Sequence, residues 1–277
     1  MKAILLPVED HTAMDAVMTC ALLLARKFGS YMEGAALGPD FTELATSDFS
    51  FSGMIFDEKT RRELLDEALR KFETFMLKQG VKRQGDSEAD CSFGWMGSKL
   101  MTDKGIGEYG RVFDLIMVGK PDDVVNAPRR LTFESALFES GRPVMIVPTE
   151  CPPTVGDCIA IAWNGSSETA RTVAFAMPLL CRARDVAILN VPHSRLTGPS
   201  ADDLSRTLVR HGVPARVVFL EDTAKAPGAA LLEKAKTLGA DLLIKGGYAQ
   251  SRLRDMFFGS VTTEILTLAR LPVFMAH

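Results

Sequence analysis

Apolar residues along this chain fall into two alternating rhythms. Short continuous runs read as strands buried on both faces, and longer stretches with apolar positions three or four apart read as helices. The second half shows this most clearly. A strand is predicted over 159–163 (IAIAW), and a helix from Ser166 onward with Val173, Ala174, Met177, Leu180 and Cys181 on one face. Strand 185–191 (DVAILNV) follows, then a helix over 200–212 stopped by Gly212, a strand over 215–220 and a helix over 226–239. The runs ADLLIKG and PVFMA are the last two strands, separated by a loop and a helix from Ser260. Continuous apolar strands alternating with amphipathic helices predict a parallel sheet covered on both faces. Right-handed crossovers make it doubly wound, with ligands beyond the strand carboxyl ends where the strand order reverses.

The pattern occurs twice. DLIMVGK at 114–120 resembles DLLIKGG at 241–247, and RPVMIVP at 142–148 resembles LPVFMAH at 271–277. The opening stretch 2–28 resembles 157–183, so three blocks recur in the same order. This predicts an α/β chain of two tandem doubly wound parallel five-stranded sheets with helices on both faces. The domains are placed at 1–150 and 157–277, joined by the proline-bearing stretch 148–157. The first copy is longer, with an insertion near 40–59 that mixes aromatics with Ser, Thr and Asp and keeps no period. It suits a surface excursion, whether a lid, an interface or an inert insertion.

Bulk composition narrows the function classes. A chain of 277 residues with 47% hydrophobic and 24% charged residues can bury a core in each half. Net charge is −3, so no overall basic field exists to hold a nucleic-acid backbone. The longest apolar run, 16–25, is too short for a bilayer and fits a buried helix, so no membrane partner is expected. MKAILLPVED reads as a first strand and lacks the cleavage site of a signal peptide, which points to the cytoplasm. Cys20, Cys91, Cys151, Cys158 and Cys181 form no C-x-x-C pair and read as buried free thiols. His11, His193, His211 and His277 have no metal-ligand spacing, and neither a nucleophile elbow nor a P-loop is present. No catalytic residue and no metal ligand is assigned.

The candidate chemistry lies in 241–266, DLLIKGGYAQSRLRDMFFGSVTTEIL. A buried strand ends at Gly246 and Gly247, a loop of roughly a dozen residues follows, and Gly259-Ser260 opens a helix. Small residues let the backbone approach a ligand, and the first helical turn presents unpaired N–H groups and the positive end of the dipole. Ser260 is placed as an N-cap, with Val261 and Thr262 in the first turn and the Ser260 and Thr262 hydroxyls as phosphate donors. Arg252 and Arg254 add positive charge. The same pattern is equally that of an ordinary strand–loop–helix connection with a routine cap.

These residues resemble the universal stress protein family, and the chain is similar to a tandem of two UspA-type domains. The nucleotide-binding form of that family carries Gly, two residues, Gly, nine residues, then Gly and Ser or Thr after strand four. The match here is Gly246, Gly247-Tyr248, Ala249, 250–258 and Gly259-Ser260. Ala249 stands where the family has its second glycine, and alanine does not freely take a positive φ. The resemblance implies an adenine nucleotide, ATP with or without magnesium, held by the C-terminal copy for regulation in a stress response rather than for turnover. By that resemblance the nucleotide contacts are Asn164 and Val191 near the base and ribose, and Gly246, Gly247, Ala249, Gln250, Ser251, Arg252, Gly259, Ser260, Val261 and Thr262 at the phosphates. Asn164-Gly165 reads equally as a turn leading to a helix capped by Ser166. In the first copy Gly119 runs into Lys120-Pro121-Asp122-Asp123, and Arg130-Leu131 replaces the Gly-Ser step. Its carboxylates and Pro121 predict that it does not bind ATP in this manner, and Glu9 and Asp10 read as solvated turn acids. The resemblance also implies pairing of 144–148 with 273–277, within one chain as a pseudo-dimer or between two chains as a homodimer. A nucleotide-free interaction module working through that pairing is the alternative function.

Overall fold

A computed structural model describes residues 1–38, 58–85, 91–122, 124–190, 198–220, 226–247 and 260–277, without the Ser260 side chain. In chain order the first half gives β1 (Ala3–Val8), α1 (Met14–Phe28), β2 (Tyr31–Ala36), α2 (Glu58–Lys78), β3 (Lys82–Arg83), β4 (Ser92–Trp95), α3 (Asp103–Tyr109), β5 (Leu115–Gly119), α4 (Arg130–Glu139) and β6 (Val144–Val147). The second half gives β7 (Cys158–Trp163), α5 (Ser167–Leu180), β8 (Asp185–Asn190), α6 (Ala201–Arg210), β9 (Ala215–Phe219), α7 (Pro227–Thr237), β10 (Leu242–Gly246), α8 (Ser260–Leu268) and β11 (Val273–Ala276). The insertion at 40–57 lies outside the described residues.

All of these strands belong to one sheet of order β3-β4-β2-β1-β5-β6-β11-β10-β7-β8-β9. Every pairing between named strands is parallel except one: β6 meets β11 antiparallel, with Met145 opposite Phe274, Val144 opposite Met275 and Ile146 opposite Val273. The expected two five-stranded sheets are therefore one continuous sheet of 11 strands. The first half also has an additional edge strand, the two residues of β3. Two apolar layers cover the two faces, and each takes residues from both halves. One joins Val17, Leu24 and Phe72 to Val173, Leu179 and Ile244. The other joins Phe133 and Ile146 to Leu231, Leu243 and Ile265.

Local chemistry fixes the elements. α1 ends where Gly29 takes a left-handed φ of 59°. α6 opens with a capping box between Ser200 and Asp203. The buried stripe of α5 is Thr169, Thr172, Val173, Ala176, Leu179 and Leu180, whereas the expected Ala174 and Cys181 face solvent. The threonines carry that stripe because their hydroxyls have partners: Thr172 donates to Glu168 O at 2.7 Å, and Thr169 Oγ1 to Asn164 Oδ1 at 2.7 Å. The thiols are free, but only Cys20 is buried; Cys181 is exposed and the others are half-buried.

The recurring Asp-Leu pair has a structural role in both halves. Asp114 accepts from the amides of Lys2 at 2.5 Å and Ala3 at 3.1 Å. Asp241, itself buried, accepts from the amides of Gly156 at 2.9 Å, Asp157 at 3.1 Å and Cys158 at 3.1 Å, and from Thr154 Oγ1 at 2.6 Å. Each carboxylate thus clamps the entry of the central strand, β1 or β7, to the strand beside it.

Candidate functional site

β10 lies between β7 and β11 and delivers Gly246 to the carboxyl edge of the sheet. A side-chain carbon on Gly246 would sit 2.5 Å from Thr169 N and 2.8 Å from Glu168 C, so the glycine lets β10 press against the first turn of α5. That turn is closed by its own residues. Ser166 Oγ accepts from Thr169 N at 3.2 Å, and Asn164 Oδ1 accepts from Ser166 N at 3.1 Å. Asn164 therefore builds the turn into α5, with Gly165 at a φ of 75°. The Gly247 amide donates to Ala276 O at 2.7 Å, so it extends the sheet instead of facing a ligand. Beyond β7, Gly198 packs on Gly165, and Trp163 Nε1 donates to Pro199 O at 2.9 Å.

At the head of α8, Val261 is half-buried and Thr262 buried. The helix includes Ser260 as its first residue, one position later than an N-cap would sit. Thr262 Oγ1 accepts from Lys245 Nζ at 2.7 Å, and the same ammonium donates to Gly246 O at 2.8 Å. Lys245 is pushed down to about 8 by burial. It was not singled out from sequence, because a lone lysine in an apolar strand carries no motif; its interruption of LLIKG was the available signal. Gly246, Gly247, Asn164, Val261 and Thr262 thus gather at one edge of the sheet. Val191, Ala249, Gln250, Ser251, Arg252, Arg254 and Gly259 lie outside the described residues.

The matching glycine of the first half, Gly119, is packed as closely, but against different groups. A carbon on Gly119 would meet Pro128 Cγ at 2.4 Å and His11 Cε1 at 3.0 Å. The loop carrying Pro128 is held by Thr12 N donating to Asn126 O at 3.1 Å, with Asn126 at a left-handed φ of 59°. Behind it, Arg129 Nε donates to Glu9 Oε2 at 2.8 Å, and Arg129 Nη1 lies 3.6 Å from Asp103 Oδ2. Thr132 Oγ1 donates to Asp103 Oδ1 at 2.6 Å. His11 Nδ1 accepts from the Ala13 amide at 3.1 Å, which leaves the proton on Nε2, 3.5 Å from Glu9 Oε1. Burial, helped by the Lys71 charge, pushes His11 down to about 4. Burial also raises the Glu9 carboxyl against the opposing pull of Arg129.

One expectation for the first copy changes accordingly. Glu9 is not a solvated turn acid but a partner of Arg129; Asp10 is exposed and meets Lys71 at 3.0 Å. Of the acids after Gly119, Asp122 is exposed, and Asp123 lies outside the described residues. Pro128 and His11 are the groups that pack against Gly119. Among the described residues no cluster of three His, Cys, Asp or Glu side chains suited to a metal occurs, and no helix is long and apolar enough to cross a membrane.

Residues 158–277 match the universal stress protein family. Over the full length, the fold is similar to that of a universal stress protein from Archaeoglobus fulgidus, at 17% identity and a TM-score of 0.69, covering 99% of this chain and 95% of that one. A protein of Pseudomonas aeruginosa described as a universal stress protein is similar at 14% identity and a TM-score of 0.57, covering 100% of this chain and 93% of that one. No protein of curated function matches the sequence.

Proposed function

Residues 158–277 are a domain of the universal stress protein family, and from that premise we propose that the second half binds an adenine nucleotide, ATP with or without magnesium, as a regulatory ligand. One observation carries this reading. The Gly246 backbone meets the first turn of α5 at the carboxyl edge of the sheet, where Lys245 also ties β10 to the first turn of α8. In sequence, the spacing from Gly246 to Gly259-Ser260 is the one the family resemblance ties to phosphates. Ligand phosphates are favoured near a helix N-terminus by its unpaired N–H groups and dipole. The first half, which has Lys120-Pro121-Asp122-Asp123 after Gly119 and Arg130-Leu131 in place of the Gly-Ser step, is assigned no nucleotide. Binding is proposed without turnover, acting in a stress response in the cytoplasm. Calorimetric titration of the full-length protein with ATP, with and without magnesium, is the direct test. A single site of micromolar to submillimolar affinity is expected. No binding at millimolar nucleotide ends the proposal.

A second reading has its own support. The Gly247 amide is engaged by Ala276 O, and the Asn164 oxygen by the α5 turn, so two groups expected at a nucleotide are already occupied. These contacts favour a nucleotide-free interaction module whose halves are joined through β6 and β11. The same titration separates the two readings.

A further inference from the structure

Lys245 is a charged residue on a strand that is otherwise buried and apolar. Its register partner in β11 is Met275, and β7 carries one titratable side chain, Cys158, at the far end of that strand. α5, with Glu168 and Arg171, packs on the opposite face, the side of Leu242 and Ile244. On the lysine's own side, α7 carries Glu233, Lys234 and Lys236, and α8 carries Glu264, whose carboxylate accepts from the Gly228 amide at 2.7 Å. Among the described residues no carboxylate pairs with Lys245. An ammonium has three protons to donate, and the contacts to Gly246 O and Thr262 Oγ1 use two of them. Thr262 accepts from the lysine, so its own proton is available to another acceptor. Among the described residues one N–H and one O–H are thus left over, on atoms 2.7 Å apart, beside the first turn of α8.

We propose that Lys245 is a phosphate-binding cation at the head of α8, and that with Thr262 it makes the preferred ligand a nucleoside polyphosphate over the bare nucleoside. This rests on the nucleotide reading above. A partly desolvated ammonium that meets no counter-charge among the described residues is costly, and a phosphate group supplies that counter-charge through charge-assisted hydrogen bonds. Lysine serves here as a point charge, which suits phosphate recognition without demanding bidentate geometry. The displaced titration of Lys245, at about 8, gives the contact a pH signature. Polyphosphate binding weakens as pH rises past that value, by up to about tenfold per unit, because the lysine must hold its proton to bind.

The test is calorimetric titration of the full-length protein with ATP, adenosine and inorganic tripolyphosphate at pH 7 and pH 9.5. Wild type, Lys245→Met and Lys245→Arg are compared, with circular dichroism confirming their folds. Wild type is expected to lose at least about tenfold in ATP affinity between the two pH values. Lys245→Met is expected to bind ATP and tripolyphosphate at least about tenfold more weakly at pH 7, with adenosine unchanged. Lys245→Arg, charged at both pH values, is expected to retain ATP binding and lose the pH dependence. If wild type binds ATP and Lys245→Met binds it equally well with the same pH profile, the lysine assignment is overturned while the nucleotide reading stands. Equal losses for adenosine and ATP also overturn it, because the lysine then serves only the site's shape. If wild type binds none of the three ligands, the nucleotide reading fails and this inference fails with it.

Discussion

Replacing Asp241 with alanine removes the acceptor for four donors at the entry of β7: the amides of Gly156, Asp157 and Cys158 and the Thr154 hydroxyl. These donors do not all suffer equally. Gly156 is buried, whereas Asp157 and Cys158 are half-buried and Thr154 is exposed. A hydrogen bond to a charged acceptor is worth about 1.5–3 kcal/mol net, and a buried donor left without an acceptor costs about 1–3 kcal/mol. Charging the full penalty to Gly156, and only a fraction to the groups that water can reach, gives about 3–4 kcal/mol for Asp241→Ala. Asp241→Asn keeps one acceptor oxygen in place and is expected to lose about half as much. Urea unfolding checks both variants. For a chain of this size the larger loss moves the midpoint down by about 1 M, with the slope unchanged. A Trp95→Phe background leaves Trp163 of β7 as the fluorescence probe, placed on the strand that the clamp secures. A midpoint within about 0.2 M of wild type for Asp241→Ala refutes the reasoning, because the strand entry is then secured by packing alone.

His11 is neutral in the fold, and its pKa moves from 6.5 to about 4, so stability present above pH 6.5 is lost as pH falls toward 4. His11→Asn, which can still accept from the Ala13 amide, should flatten that decline by up to about 3 kcal/mol; equal acid titrations of stability would contradict the assignment. Lys245 is lowered from 10.5 to about 8, so wild type bears a burial cost below pH 8 that fades as pH rises toward 10.5. Lys245→Met should therefore be more stable at pH 7 by up to about 3 kcal/mol, an advantage that shrinks over that range in denaturant melts; a constant difference would show that packing, not charge, sets it. Gly246→Ala forces a carbon to within 2.5 Å of Thr169 N, and a thermal melt should show about 2 kcal/mol of destabilisation. An unchanged melt would mean that the first turn of α5 yields freely.

The architecture was legible wherever a pattern repeats. Continuous apolar runs such as IAIAW marked central strands, and Gly212 and Ser200 marked helix ends that the structure retains. The candidate site was legible as far as Gly246 and the head of α8, because glycine, strand end and helix start are local signals. Lys245 was not, since what matters is the hydroxyl 17 positions away that it meets. The packing around Gly119 was equally hidden. Arg129 reaches Glu9 across 120 positions, and Pro128 takes the space beside Gly119 only because the loop folds back. The stripe on α5 is not legible from apolar spacing, because Thr169 and Thr172 read as polar while their hydroxyls are bonded within the fold.

At the antiparallel seam, Met145 stands across from Phe274, and the two occupy equivalent places in their respective repeats. Two identical chains meeting there would have to place a residue opposite itself, thioether on thioether or ring on ring. Fusion lifts that demand. The partner is always present whatever the protein concentration, and a change on one side need not be mirrored on the other. Such a chain is free to specialise its repeats, letting one become a rigid scaffold while its neighbour takes up a separate task.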